Sequence, residues 1–524
     1  MNKRNGGDKM IKRSMRNVSA AIDIGPNLVC MQIAQTAKDK LDLLELLEYP
    51  VNLCHDAFYD GKIEYENIME LTEVIAKYQE CLSSYPVGKC RVISCSAMRN
   101  AGNREIVREI LKTRQGVEIE ILEENEEKAL LYFEAVRIIK ASTAVLAEDF
   151  IIAYIGSGSI SLAVFQKGQI THTRNIPAGT LKIHEILSGL RRESEDFYEV
   201  IGEYVGDVLP NMTGFSRPPE NIVLIGPDIG RIAELTGKEL SNDVYVINAE
   251  SLTELYKSMR SMTLENIMLM YEISEDDAAM MYYSLFYAVG LMHRIPAGII
   301  APRSNILSAV MREMNAPGYR REFVEFKRRG ALSCAEAIVS GWQGKSLETV
   351  KLMDISCRLF EKLQKYHGME GGWKTVLKAA SSFAGALPFW GFHNTDEDIC
   401  RLIQTIELFG LSQSEITVLA LVTAFMEAPQ TIQDNEMFKR LDTDLQLAAL
   451  KLAAIASVAY VLCTKNIQDI RFTLHEKHRE ISITVSADTG AMLEKWRFQH
   501  CRDFFRDIFG IQPVLSVKLR MLES

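Results

Sequence analysis

Twice in this chain a β-prone apolar run breaks on a small glycine turn and resumes as a second strand. Val18 to Ile24 runs into Gly25-Pro26-Asn27 and continues from Leu28 to Ala34. Phe150 to Ile155 runs into Gly156-Ser157-Gly158-Ser159 and continues from Ile160 to Phe165. A turn between two strands points backbone N–H groups into one small space, a nest that binds phosphate without needing a side-chain cation. Glycine permits the backbone conformations and close approach this requires. An acid at the end of the preceding strand, here Asp23, is placed to hold a metal or to orient a water. Most Asp-x-Gly turns are only turns, so the surroundings decide.

Around the first turn the chain alternates strands and helices. Leu41 to Tyr49 is a third strand, Arg91 to Cys95 and Val117 to Leu122 are short ones, and Ile68 to Leu82 and Asn103 to Thr113 have helical character. Asn125 opens a helix with Ala129, Leu130, Phe133 and Val136 on one face. Phe150 to Ile155 is apolar almost throughout, as a strand buried on both faces is. Lys167-Gly168 is a hairpin turn before Ile170 to Ile176, and Asn221 to Ile225 meets Gly226 as another strand edge. Such alternation implies an α/β layered fold. From about Ser304 helical stretches take over: Phe323 to Arg328, Ala335 to Trp342, Leu347 to Tyr366, Gly372 to Phe383 and Glu397 to Leu408, with Gly410 a helix stop and Ser412 an N-cap. Ile470 to Leu474, Ile481 to Val485 and Val514 to Val517 are strands again, and Met492 to Phe509 is a helix.

With 524 residues, two to four domains are expected. The expected division is a basic disordered tail over 1–16, α/β domains over 17–140 and 141–303, a helical domain over 304–463 and a small α+β unit over 464–524. The net charge of −10 gives no general attraction to nucleic acid or to an anionic membrane, so a polyanionic ligand needs a locally basic site. The 10 cysteines form no CxxC pair, which fits a reducing cytoplasm. Leu445 to Cys463, interrupted by Lys451, reads as a buried helix.

Five segments in order resemble the motifs of the exopolyphosphatase/guanosine pentaphosphatase (Ppx/GppA) family. Ala20 to Asn27 resembles AAIDIGSNS, Ser94 to Asn103 resembles ATSALRDAxN, Asn125 to Tyr132 resembles xEEARLIY, Ile155 to Ser159 resembles DIGGGSTE, and Ile176 to Leu181 resembles LPLGAVRL. The resemblance covers about residues 17 to 300. It implies a duplicated actin-like, ribonuclease H-like N-terminal half, followed by an all-α HD-like domain and the small C-terminal unit. It also implies a hydrolase that removes terminal phosphate from inorganic polyphosphate or pppGpp with Mg²⁺, and a homodimer formed through the helical region. By the same resemblance Glu127 is the general base and Asp23 the metal- or water-orienting acid. Gly25 and Asn27 form the first phosphate turn, Gly156, Ser157, Gly158 and Ser159 the second, and Arg99 a phosphate clamp whose fork suits that role. Taken without the resemblance, the acidic run Glu123 to Glu127 stabilises a helix start, and Arg99 reads as a surface ion pair.

The departures gather on the phosphate turns. Tyr154 stands for the aspartate that opens the second motif, and Ser161 for its final glutamate. Ser157 replaces a glycine, Pro26 removes a backbone donor from the first turn, and Leu28 removes a hydroxyl. A Mg²⁺ site that loses two carboxylates loses most of its charge. In the helical part Ser382-Phe383 stands where an HD pair is expected, His367 and His393 have no partner pattern, and His55-Asp56 is incidental. Two readings therefore stand open: a hydrolase using Glu127, or a binding protein for polyphosphate or (p)ppGpp that has lost turnover. Glu123, Glu124 and Glu126 are the nearest carboxylates able to fill the vacated place.

Overall fold

The computed structural model describes residues 18–37, 40–53, 56–57, 61–142, 149–188, 203, 219–241, 243–262, 264–295, 297–343, 347–387 and 395–520. The expected basic tail, His55 and His393 lie outside these residues. The chain divides into two compact units: one runs to Phe326 except for Ile170–His172, and the other takes those three residues and Lys327 onward.

The first unit is built on two sheets. β1 (Val18–Ile24), β2 (Leu28–Ala37), β3 (Lys40–Pro50), β4 (Val87–Ser94) and β5 (Ile119–Ile121) lie in the order β3-β2-β1-β4-β5. The first three are antiparallel, and β4 and β5 run parallel to β1. β6 (Phe150–Ile155), β7 (Ile160–Gln166), β8 (Gln169–Ile176), β9 (Asn221–Ile225), β10 (Gly237–Ser241), β11 (Val244–Ile247) and β12 (Gly298–Pro302) form the second, in the order β10-β11-β12-β9-β6-β7-β8. Here β6 and β7 are antiparallel, while β9 is parallel to β6 and β12 to β9. Read outward from β8, the second sheet repeats the order of the first and adds β11 and β10 at its edge. This is the duplicated actin-like architecture. β6 lies inside its sheet, which is why its sequence is a continuous apolar run instead of an alternating one.

The helix Glu124–Ala141 is buried on nearly every face, and the buried residues include the charged Glu127, Lys128 and Glu134. Buried charge persists only when paired, and each of these is. Glu134 takes Arg137 at 2.6 Å and Arg312 at 3.1 Å. The other two pairs form the site described below.

In the second unit, helices run from Leu347–Lys362 to Thr443–Leu462. Gly410 has φ +78, and Ser412 closes a capping box with Glu415, as its position implied. Thr443–Leu462 is long and apolar enough to cross a membrane, yet it is mostly buried inside this unit, as the core helix it was read to be is. β13 (Ile467–His475), β14 (Glu480–Ala487) and β15 (Gln512–Leu519) make a three-stranded sheet, with Met492–Phe509 linking the last two. The stretch around Ser382-Phe383 lies buried in Gly371–Ala386. His367 is buried and satisfied: its Nε2 lies 2.9 Å from the Phe360 carbonyl, and Nδ1 accepts from the Met369 N–H at 3.0 Å.

Candidate functional site

Both glycine turns lie in the first unit, at the ends of β1 and β6. In the first, the Gly25 N–H donates to the Leu28 carbonyl, and the carbonyls of Pro26 and Asn27 accept from the N–H groups of Leu53 and Val51. In the second, the Gly156 N–H donates to the Ser159 carbonyl, while the N–H groups of Thr180, Leu181 and Gly179 donate to the carbonyls of Gly156, Ser157 and Gly158. The carbonyls of this turn are thus drawn toward the start of the helix Thr180–Ser188. Gly179 is glycine because a Cβ there would stand 2.2 Å from the Ser157 carbonyl oxygen. The Ser157 Oγ lies 3.4 Å from that of Ser96, which opens the short helix carrying Arg99.

Glu127 is the buried centre. Both terminal nitrogens of Arg99 donate to its Oε2 at 3.1 Å, and the Tyr154 hydroxyl donates to its Oε1 at 3.0 Å. Burial and then the Glu127 charge hold the Tyr154 hydroxyl well above the usual phenol range, so it stays a donor. Burial, then the charges of Glu127 and Asp23, push the Cys95 thiol well above the usual thiol range. A carboxylate offers about four acceptor positions, and Arg99 and Tyr154 take three of them. Arg99 also donates to the Leu122 carbonyl at 2.7 Å.

Asp23, at the end of β1, is partly buried, but its Oδ1 is closed to solvent and has no hydrogen-bond partner. Burial first, and the Glu127 charge second, push its carboxyl up to about 7. A buried acid without a donor keeps its proton more readily.

Tyr154 and Ser161 are direct cross-strand partners on β6 and β7, so the two missing acids would have faced each other. A carboxylate does enter this region, from Glu124. Its Oε1 accepts from Lys128 Nζ at 2.6 Å, Asn175 Nδ2 at 2.9 Å and Ser159 Oγ at 3.0 Å, and Ser161 Oγ donates to Asn175 Oδ1 at 2.8 Å. Burial alone would raise the Glu124 carboxyl, but the charge and hydrogen bond of Lys128, with Ser159 and Arg99, hold it below its ordinary value.

A family profile described as the Ppx/GppA phosphatase family matches residues 32–214. Residues 32–214 carry a divergent Ppx/GppA-family domain. The match takes in Arg99, Glu127 and the second turn, and it begins past the first. Among solved structures, an exopolyphosphatase from Cytophaga hutchinsonii ATCC 33406 is 16% identical, over 57% of this chain and 97% of that one, with a TM-score of 0.50. The Aquifex aeolicus member of the Ppx/GppA family is 17% identical over 57% and 97%, with a TM-score of 0.45. The former shares the fold. No curated protein matches the sequence.

Mg²⁺ asks for a near-octahedral set of oxygens, one or two from carboxylates and the rest from water and substrate phosphate. Glu127 holds three donors and Oε1 of Glu124 three more, and the hydroxyls of Tyr154 and Ser161 are turned to Glu127 and Asn175. Asp23 presents an orphaned buried oxygen. The residues in place do not fit a resident Mg²⁺.

Asp23 and Arg99 both lie by Glu127, and Ser157 of the second turn meets Ser96 on the helix that carries Arg99. Lys128 and Asn175 are not singled out by the sequence motifs. The Glu124–Lys128 pair has a visible signal, an acid four places before a lysine on a helix; Asn175 has none.

Proposed function

We propose that this site takes the terminal phosphate of inorganic polyphosphate or pppGpp and releases it by hydrolysis, with Glu127 accepting the proton of the attacking water. The observation that supports this is the position of Glu127, near Asp23 of β1 and bonded to Tyr154 of β6, with Arg99 on its carboxylate. In this reading Gly25, Asn27 and Gly156 to Ser159 bind phosphate oxygens. The water oxygen bonds to the terminal phosphorus as the bridging P–O bond breaks. The water proton passes to Glu127, and Arg99 offsets charge on the phosphoryl oxygens. The Tyr154 hydroxyl competes with the water proton for Oε1, which slows turnover. Asp23 orients the water.

The three donors already on Glu127 favour a second reading, in which the chain binds polyphosphate or guanosine phosphates as a regulator and turns nothing over. Phosphate release from both substrates, assayed with Mg²⁺ and with Mn²⁺, separates the two. Hydrolysis predicts release above that of Glu127→Gln with at least one substrate. Release no greater than in that variant, for both substrates and both metals, leaves only the binding role.

A further inference from the structure

The family motif places alanine then arginine after its paired glutamates; here the order is Lys128 then Ala129, so the basic residue has moved one place along the helix. Ala129 is fully buried, and Lys128 nearly so. The Lys128 ammonium bonds to the Glu124 oxygen that also takes Ser159 Oγ, so it stands one carboxylate oxygen from the second turn. Arg99 stands on Glu127 in the same manner, on the carboxylate that also takes the Tyr154 hydroxyl of β6. Glu124 and Glu127 lie one helical turn apart, and each anchors a cation. Two acids of the second hairpin are gone, and both oxygens of Glu127 and Oε1 of Glu124 already accept donors, while Oδ1 of Asp23 is orphaned.

We propose that Lys128 and Arg99 supply, as fixed charges, what a divalent cation would otherwise bring, so that this site binds the terminal phosphates of a phosphoanhydride chain without Mg²⁺. The proposal rests on the phosphate-site reading above. An ammonium acts on phosphate as a compact point charge and a guanidinium as a planar fork. Glu124 supplies the counter-charge that a buried ammonium requires. Asn175 and Ser159 hold that carboxylate in register with the turn, so the cation is positioned before any ligand arrives.

Calorimetry on the full chain tests this. Long-chain inorganic polyphosphate and, separately, pppGpp are titrated in excess EDTA and in Mg²⁺. The expected result is a Kd that differs by less than about fivefold between the two buffers, a difference small beside the effect of one charge-assisted bond. Lys128→Met is expected to weaken binding in EDTA about tenfold or more, and Lys128→Arg to restore most of it. A larger loss of affinity on removing Mg²⁺ from the parent chain overturns the proposal, even where Lys128→Met fails to fold. Unchanged affinity in a folded Lys128→Met overturns it too. Absence of heat with both probes in both buffers removes the phosphate-site reading itself, and the proposal with it.

Discussion

The Tyr154 hydroxyl donates to a carboxylate that an acid at the same position would have repelled. Replacing the family's aspartate with a phenol thus exchanges a like-charge clash for a hydrogen bond of about 1–3 kcal/mol. Tyr154→Phe keeps the ring and frees one acceptor position on Glu127. If hydrolysis waits on that bond opening, phosphate release rises about fivefold, the rate equivalent of about 1 kcal/mol. A fall in rate would show instead that the hydroxyl positions Glu127. Asp23 and Glu127 were legible because each sits in a short contiguous motif. The Glu124–Lys128–Ser159–Asn175–Ser161 network was not, because it joins a helix, a turn and two strands through side chains whose meeting no local spacing encodes.

The second turn and the helix Thr180–Ser188 act as one element, since the N–H groups that begin the helix are spent on the carbonyls of the turn. Gly179→Ala would drive a Cβ to 2.2 Å from the Ser157 carbonyl oxygen. The expected cost is about 2 kcal/mol or more, read as faster hydrogen exchange across residues 156–183; protection equal to the parent's would show that the turn yields without strain. Elements with a continuous apolar run or a cap were legible in sequence: Val18–Ile24, Phe150–Ile155, Asn221–Ile225 and Met492–Phe509 fall where their patterns place them. β10 to β12 went unread, being short, with β12 ending on Pro302. The two helices expected at Phe323 to Arg328 and Ala335 to Trp342 are one, Pro317–Gln343. Gly330 resembles a break between them, yet it lies inside the helix. A Cβ there would meet Phe409 Cδ1 at 2.4 Å, so the glycine answers to packing and not to termination.

On the scale of the whole molecule, a chain with net charge −10 keeps buried acids whose burial opposes ionisation. Asp228 accepts from Ser284 at 2.7 Å, yet burial, reinforced by Asp277 and only partly offset by that bond, raises its carboxyl from 3.8 to about 6. Its folded value lies above its unfolded one. The folded chain therefore binds the extra proton between these values, and stability falls as pH rises from about 4 to about 6, by about 2–3 kcal/mol in total. Asp228→Asn, which keeps an acceptor for Ser284, is expected to flatten that slope in denaturant titrations; an unchanged slope would assign it to other acids. The repeated strand order makes Asp23 opposite Cys30 and Tyr154 opposite Ser161 corresponding pairs of two like halves. At these corresponding positions the first half carries an acid and the second a phenol, so the two turns are alike in backbone and unlike in charge: a loss of Asp23 is not compensated at Tyr154.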